Sequence, residues 1–111
     1  MRHEQTIIYE RCIALMRTAR ETIENLPPGF GFLADQLRRN TSSVAHNFAE
    51  GYYQRSAKQQ RRYLEYAIQS AHEASMSFDT ARCFDAAPDE VVTCGKVLTL
   101  ELVKLLSKFQ R

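Results

Sequence analysis

The sequence predicts an all-α fold, an antiparallel up-down-up-down four-helix bundle formed by a single domain over residues 1–111. Apolar residues recur at steps of three and four through four long segments, which is the spacing of one helix face. The four glycines and three prolines are few, most of them lie in short breaks between these segments, and no segment alternates with the period of a strand. Long helices joined by short connections favour antiparallel neighbours.

The first segment predicts a helix over residues 3–25. Its apolar face consists of Ile8, Cys12, Leu15, Ala19, Ile23 and Leu26. We expect the helix to stop at Pro27 and Pro28, because proline has no backbone N–H with which to continue the hydrogen-bond ladder.

The second segment predicts a helix over residues 32–53. Its stripe is Leu33, Leu37, Val44, Phe48 and Tyr52. The run Asn40-Thr41-Ser42-Ser43 is a weak helix former, so we expect tertiary packing to hold it. Gly51 is expected to serve the helix terminus or a close approach of another helix.

The third helix is expected to begin after Ser56, which with Gln59 three residues on has the pattern of a capping box, and to run to about Phe84. Its seam is Leu64, Ala67, Ala71, Ala74, Phe78 and Ala81. These steps alternate between three and four as in a heptad, and the small side chains permit close approach of neighbouring backbones.

The fourth helix is expected to begin near Pro88, since proline followed by Asp89 and Glu90 suits a helix N-terminus, and to run to the end of the sequence. Its predicted seam is Val91, Gly95, Leu98, Leu102, Leu105 and Phe109.

This last helix carries more apolar residues than its seam requires. The additional ones are Val92, Val97, Leu100, Val103 and Leu106. One small bundle cannot cover a helix that is apolar over most of its circumference, and an exposed apolar stripe of this size usually marks an interface. The sequence therefore predicts a homo-oligomer whose interface includes Val97, Leu100, Val103 and Leu106.

A signature occupies the second helix, the joint and the start of the third. Its parts are Leu37-Arg38-Arg39, Asn47-Phe48-Ala49-Glu50-Gly51, Arg55-Ser56 and Tyr63-Leu64. Over residues 33–79 the chain resembles the four-helix-bundle family of the 23S rRNA intervening-sequence proteins, which is related to the accessory proteins of diversity-generating retroelements. Phe48 stands where that family usually has isoleucine, and Gln59 and Gln60 stand where many members have an aromatic residue.

The resemblance implies a cytoplasmic homo-oligomer, a pentamer of four-helix protomers. It also implies an association with RNA or DNA through basic surfaces, and a protein partner such as a reverse transcriptase. We expect a structural role for four signature residues: Asn47, Glu50, Gly51 and Ser56. Asn47 and Glu50 are expected to form a partly buried polar pair. This pair would hold together the joint between helices two and three, or contact an adjacent protomer, for instance through Arg55.

Charge distribution supplies the candidate nucleic-acid site. The net charge is only +2, but between residues 36 and 62 the one acid is Glu50. The basic residues of this stretch are Arg38, Arg39, Arg55, Lys58, Arg61 and Arg62. Lysine and arginine suffice to contact phosphates, and Tyr52, Tyr53 and Tyr63 could stack on bases. The alternative is a solvated face whose cations pair with acids such as Glu50 or Glu65.

Other chemistries find little support in the sequence. The three cysteines are Cys12, Cys83 and Cys94, too scattered for a zinc site, so buried reduced thiols are expected. His46 and Glu50 have i, i+4 spacing, yet no Glu-x-x-His exists for a di-metal bundle. No phosphate loop, nucleophile elbow, membrane span or signal peptide is recognisable. The sequence predicts no cofactor and no enzyme.

The leading functional hypothesis is a non-catalytic oligomeric adaptor that binds RNA or DNA phosphates through basic residues of helices two and three. The main alternative is a protein-interaction scaffold without a nucleic-acid role, and a third is a metalloenzyme bundle.

Overall fold

A computed structural model describes residues 2–109 as four helices with no strand among them. They are α1 (His3–Asn25), α2 (Gly31–Tyr52), α3 (Ala57–Cys83) and α4 (Asp89–Lys108). The predicted all-α four-helix bundle is confirmed, and the first three helices begin and end within one residue of their predicted bounds. The predicted continuation of α4 to the end of the sequence is wrong at Phe109, where the backbone is extended, and the rest of that prediction lies outside the described residues.

Local chemistry accounts for the joints between helices. In the first, Gly29 adopts φ +98°, a left-handed conformation that glycine tolerates best. At the second, the Ser56 hydroxyl accepts the Gln59 backbone N–H at 3.0 Å, which confirms Ser56 as the N-cap of α3. At the third, Asp85 takes a left-handed conformation, and the Ala86 N–H donates to the Ala81 carbonyl at 2.9 Å. This last arrangement is a Schellman motif with aspartate in the position usually held by glycine.

Two contacts in each case show that α1 and α4, and likewise α3 and α4, run antiparallel. Arg11 and Thr18 lie against Glu101 and Cys94, and Asp79 and Arg82 lie against Lys96 and Asp89. The Arg11 Nε donates to the Glu101 carboxylate at 2.8 Å and so joins the first helix to the last across 90 residues of sequence. The Lys96 ammonium lies 2.6 Å from the Asp79 carboxylate between α3 and α4. Each helix packs on two neighbours, and the backbones of the diagonal pairs stay apart in the part of the chain that the structure describes.

The core face of α4 differs from the predicted seam by about one residue. It consists of Val92, Gly95, Thr99, Leu102, Leu106 and Phe109, whereas Val91, Leu98 and Leu105 are only partly buried. Thr99 is buried because its hydroxyl donates to the Lys96 carbonyl at 2.9 Å and leaves no donor unpaired. A polar residue with a local partner thus occupies a position that was expected to be apolar.

Because α4 is rotated in this way, one residue of the predicted interface is wrong. Leu106 was predicted on the exposed stripe, but it is 1% exposed and belongs to the protomer's own core, because the spacing that buries Leu102 also turns Leu106 inward. Val97 and Leu100 are 57% and 56% exposed, and Val103 is half-buried. The exposed apolar stripe of α4 is therefore narrower than the sequence indicated.

Gly95 makes room for the largest buried side chain of α3. A Cβ at this position would lie 2.5 Å from two ring carbons of Phe78, and Phe78 is completely buried. The ring of Phe78 therefore packs directly on the backbone of α4, and the contact tolerates no side chain at residue 95.

The cysteines do not share one environment. All three thiols are free, but only Cys12 is buried, so the expectation of three buried thiols is wrong for Cys83 and Cys94. Cys83 lies in the last turn of α3, and Cys94 lies towards α1 with its sulfur 3.6 Å from the Thr18 hydroxyl. Their positions leave both thiols open to solvent.

Thiol reactivity should separate these environments. Burial raises the pKa of Cys12 to about 12, so this thiol carries almost no thiolate at pH 8. We expect a chromogenic disulfide reagent to titrate two thiols rapidly in the native protein and the third only after denaturation. Cys12→Ala should remove only the thiol that reacts after denaturation and leave the two rapid ones. Three rapid thiols in the native protein would contradict the burial of Cys12.

Candidate nucleic-acid interface

A polar seam joins α2 to α3 and holds the weak helix-forming run in place. The Ser43 and Ser70 hydroxyls lie 2.8 Å apart, and the Asn40 amide donates to the Ser77 hydroxyl at 3.4 Å. The Thr41 hydroxyl donates to the Leu37 carbonyl at 2.7 Å within its own helix. Packing against α3 thus compensates for poor helix propensity, as expected. That Ser70 and Ser77 of α3 are their partners was not predicted from the sequence.

Gly51 sets the distance between α2 and α3 at the joint. A Cβ there would lie 3.0 Å from the Tyr63 Cβ and 3.2 Å from the Gln60 carbonyl oxygen. The last turn of α2 therefore lies directly against the second turn of α3. This close approach is one of the two roles expected for Gly51, and it places the end of α2 beside the basic residues of α3.

Asn47 and Glu50 do not act as a pair. Asn47 is half-buried, and its amide donates to the carbonyl and the hydroxyl of Ser43, both at 2.9 Å, which extends the polar seam. Glu50 is exposed, and among residues 2–109 its carboxylate forms no ion pair with Arg55 or any other cation. The proposed tie through Arg55 is therefore absent.

Four of the six predicted basic residues lie together at the α2–α3 joint. They are Arg55, Lys58, Arg61 and Arg62, and all four are exposed. None of them pairs with an acid of the described chain. Lys58, Arg61 and Arg62 line a shallow depression together with Glu65, which also remains unpaired. The four cations thus keep charge that phosphates could neutralise.

Arg38 and Arg39 lie elsewhere. Both are exposed near the opposite end of α2, and Arg38 lies 3.5 Å from the Asp35 carboxylate. Since neighbouring Asn40 is level with Ser77, about fifteen residues of α3 separate this pair from Arg62, or roughly 20 Å at a rise of 1.5 Å per residue. The protomer therefore carries two separate basic patches.

Tyrosines accompany the basic residues at the joint. Tyr53 is 76% exposed and Tyr66 is 39% exposed. The Arg62 Nε donates to the Tyr66 hydroxyl at 2.9 Å, and this hydrogen bond raises the pKa of Arg62 above its usual value. We call these six residues the joint surface: Tyr53, Arg55, Lys58, Arg61, Arg62 and Tyr66.

The structure also changes which tyrosines are candidates for stacking on bases. Tyr52 was a candidate for stacking, but it is half-buried, with its ring 6.5 Å from that of Phe48 and 6.3 Å from that of Phe109. Tyr66 was not singled out. It lies three residues after Tyr63, a spacing that makes the two rings neighbours on the helix surface and that could have identified it.

Within 2–109, no three His, Cys, Asp or Glu side chains come close enough to hold a metal ion, and His46 and Glu50 are both exposed. Among the four described helices, none is apolar over a length sufficient to span a bilayer.

Comparison with known proteins identifies the family. No curated protein matches the chain. The model of one family matches residues 4–108, which covers all four helices and the joint surface. Because this match extends over nearly the whole sequence, the chain belongs to the 23S rRNA-intervening sequence protein family.

Proposed function

We propose that this protein is a non-catalytic adaptor that binds RNA or DNA through phosphates held at the joint surface. The observation that carries the proposal is the group of four exposed cations without acidic partners, Arg55, Lys58, Arg61 and Arg62. The family description connects the chain with nucleic acid only in general terms. The proposal includes a cytoplasmic location, as the sequence and the resemblance imply.

Physical chemistry favours a phosphate ligand at this surface. Unpaired arginine and lysine side chains release condensed counterions from nucleic acid when they neutralise phosphates, and this release dominates non-specific affinity. The guanidinium of Arg62 is held by Tyr66 rather than by a carboxylate, so its charge remains available. Arg38 and Arg39 would provide a second contact for a strand long enough to span both patches.

The test is fluorescence anisotropy with mixed-sequence RNA and duplex DNA across a salt series. We expect salt-dependent binding that weakens in the double variant Arg61→Ala/Arg62→Ala, with the slope of log K against log salt reduced in magnitude by roughly 1.4–1.8 for two lost contacts. Affinity and slope equal to those of the unsubstituted protein would remove both arginines from the site.

A matched control is Arg17→Ala/Lys104→Ala. This double variant removes two exposed cations from α1 and α4, neither of which pairs with a described acid. It changes the net charge by the same amount through residues outside the joint surface. An equal loss of affinity in the control would assign the effect to global charge rather than to the joint surface.

The proposal also includes self-association through α4, with a pentamer as the expected assembly. Val97 and Leu100 supply large exposed apolar side chains on one helix, and half-buried Val103 adjoins them. The same feature supports the alternative, a protein-interaction scaffold that contacts a partner such as a reverse transcriptase. A scaffold would retain its protein partner after nuclease treatment, and loss of every partner under that treatment would count against it.

A further inference from the structure

We infer that the joint surface prefers single-stranded nucleic acid, with unpaired bases stacked on Tyr53 and Tyr66 while Arg62 and its basic neighbours contact the phosphates. This inference rests on the proposed function and narrows its ligand. It follows from how the two tyrosines are exposed and held.

Each exposed ring is fixed by a second tyrosine. The rings of Tyr52 and Tyr53 lie 5.1 Å apart at 87°, and those of Tyr63 and Tyr66 lie 5.8 Å apart at 86°. Edge-to-face packing of this kind favours one ring orientation. Tyr53 and Tyr66 nevertheless remain substantially open to solvent. Rings already ordered before binding lose little conformational entropy when a base stacks on them.

Arg62 links the aromatic and the basic parts of the surface. Its guanidinium carbon lies 5.9 Å from the centre of the Tyr66 ring, and its Nε is engaged by the Tyr66 hydroxyl. Its two terminal amino groups form no hydrogen bond with any described residue. Arg62 can therefore position Tyr66 through one group and contact a phosphate through the others.

This combination distinguishes single strands from duplexes. In a duplex the faces of the bases are stacked on one another, so a protein ring reaches them only where a base is unpaired. Aromatic platforms along a positively charged track are the usual means by which proteins bind single strands. A surface used for duplex phosphates alone would need the cations but not two ordered, exposed rings.

The decisive probes are three fluorescein-labelled DNAs of about 16 nucleotides. They are a mixed-sequence single strand, its duplex, and a fully abasic strand that keeps the phosphates without the bases. We expect the single strand to bind at least about tenfold more tightly than the abasic strand, which is the effect of one stacked base. Tyr53→Ala/Tyr66→Ala should abolish this difference.

Tyrosine emission gives a second readout, since the sequence contains no tryptophan. The single strand should quench it and the abasic strand should not. The matched control is Tyr9→Ala, which removes a 52%-exposed tyrosine from α1 and should leave the preference intact. If the double variant loses helix content, Tyr53→Ala alone serves, because Tyr53 lies outside α2 and α3.

The outcomes separate this inference from the proposed function. Equal, salt-dependent binding of all three DNAs, unaffected by the tyrosine substitutions, would overturn the single-strand preference and leave phosphate binding in place. Tighter binding of the duplex would do the same. Failure of every probe to bind at low salt would overturn both.

Discussion

Replacing Gly95 with valine is expected to destabilise the bundle by about 3 kcal/mol, at the upper end of the usual cost of overpacking. Even a single Cβ at residue 95 would lie 2.5 Å from the ring of Phe78, which is fully buried. Chemical denaturation followed by circular dichroism at fixed protein concentration measures the effect.

Two variants make this prediction specific. Gly31→Val also adds a side chain to a helical glycine, but no atom lies within 4 Å of a Cβ there, so only a small change is expected. Phe78→Leu shortens the side chain that causes the clash. Gly95→Val should therefore destabilise the bundle less in the Phe78→Leu background than in the unsubstituted protein. Equal costs in both backgrounds would show that Phe78 is not the obstacle.

The double variant Val97→Glu/Leu100→Glu is expected to convert the proposed oligomer into protomers of 12.8 kDa. Both side chains are more than half exposed in the protomer, so glutamate costs little there. In an interface, two carboxylates per subunit would be desolvated without partners, which is strongly unfavourable. Light scattering coupled to size exclusion should give five protomer masses for the unsubstituted protein and one for the variant.

Met76→Glu is the matched control for this prediction, because Met76 is 59% exposed on α3, away from the α4 stripe. It should leave the mass of the assembly unchanged. An unsubstituted protein with the mass of one protomer would refute self-association. An oligomer that survives both α4 substitutions would place the interface elsewhere on the surface.

Helix existence and bounds were predictable because the signals are local. Ser56 caps its own helix through a residue three positions on, and proline residues end or begin helices by their covalent structure. The rotation of α4 was not predictable from apolarity. Thr99 is buried because it satisfies its hydroxyl locally, while the more apolar Leu98 remains partly exposed. Hydropathy alone does not reveal such a hydrogen bond.

The candidate site was predictable in composition and less so in arrangement. The bias towards Arg and Lys correctly marked a cluster at the α2–α3 joint, since those residues are close in sequence. Whether a carboxylate neutralises them depends on side-chain geometry, and neither Glu50 nor Glu65 does so. Tyr66 was overlooked because the spacing of apolar residues identifies a buried face but does not rank aromatic residues outside it.

The order in which the helices pack also has a kinetic consequence. Three of the four helix pairs in contact join segments adjacent in the chain, and only α1 with α4 brings distant sequence together. Domains dominated by such local contacts fold rapidly, because closing the short loops between neighbouring helices loses little entropy before the helices pack. Contacts between α1 and α4, such as the one between Arg11 and Glu101, enclose the longest loops in this topology. Docking of the first helix against the last is therefore the expected slow step on the way to the native state.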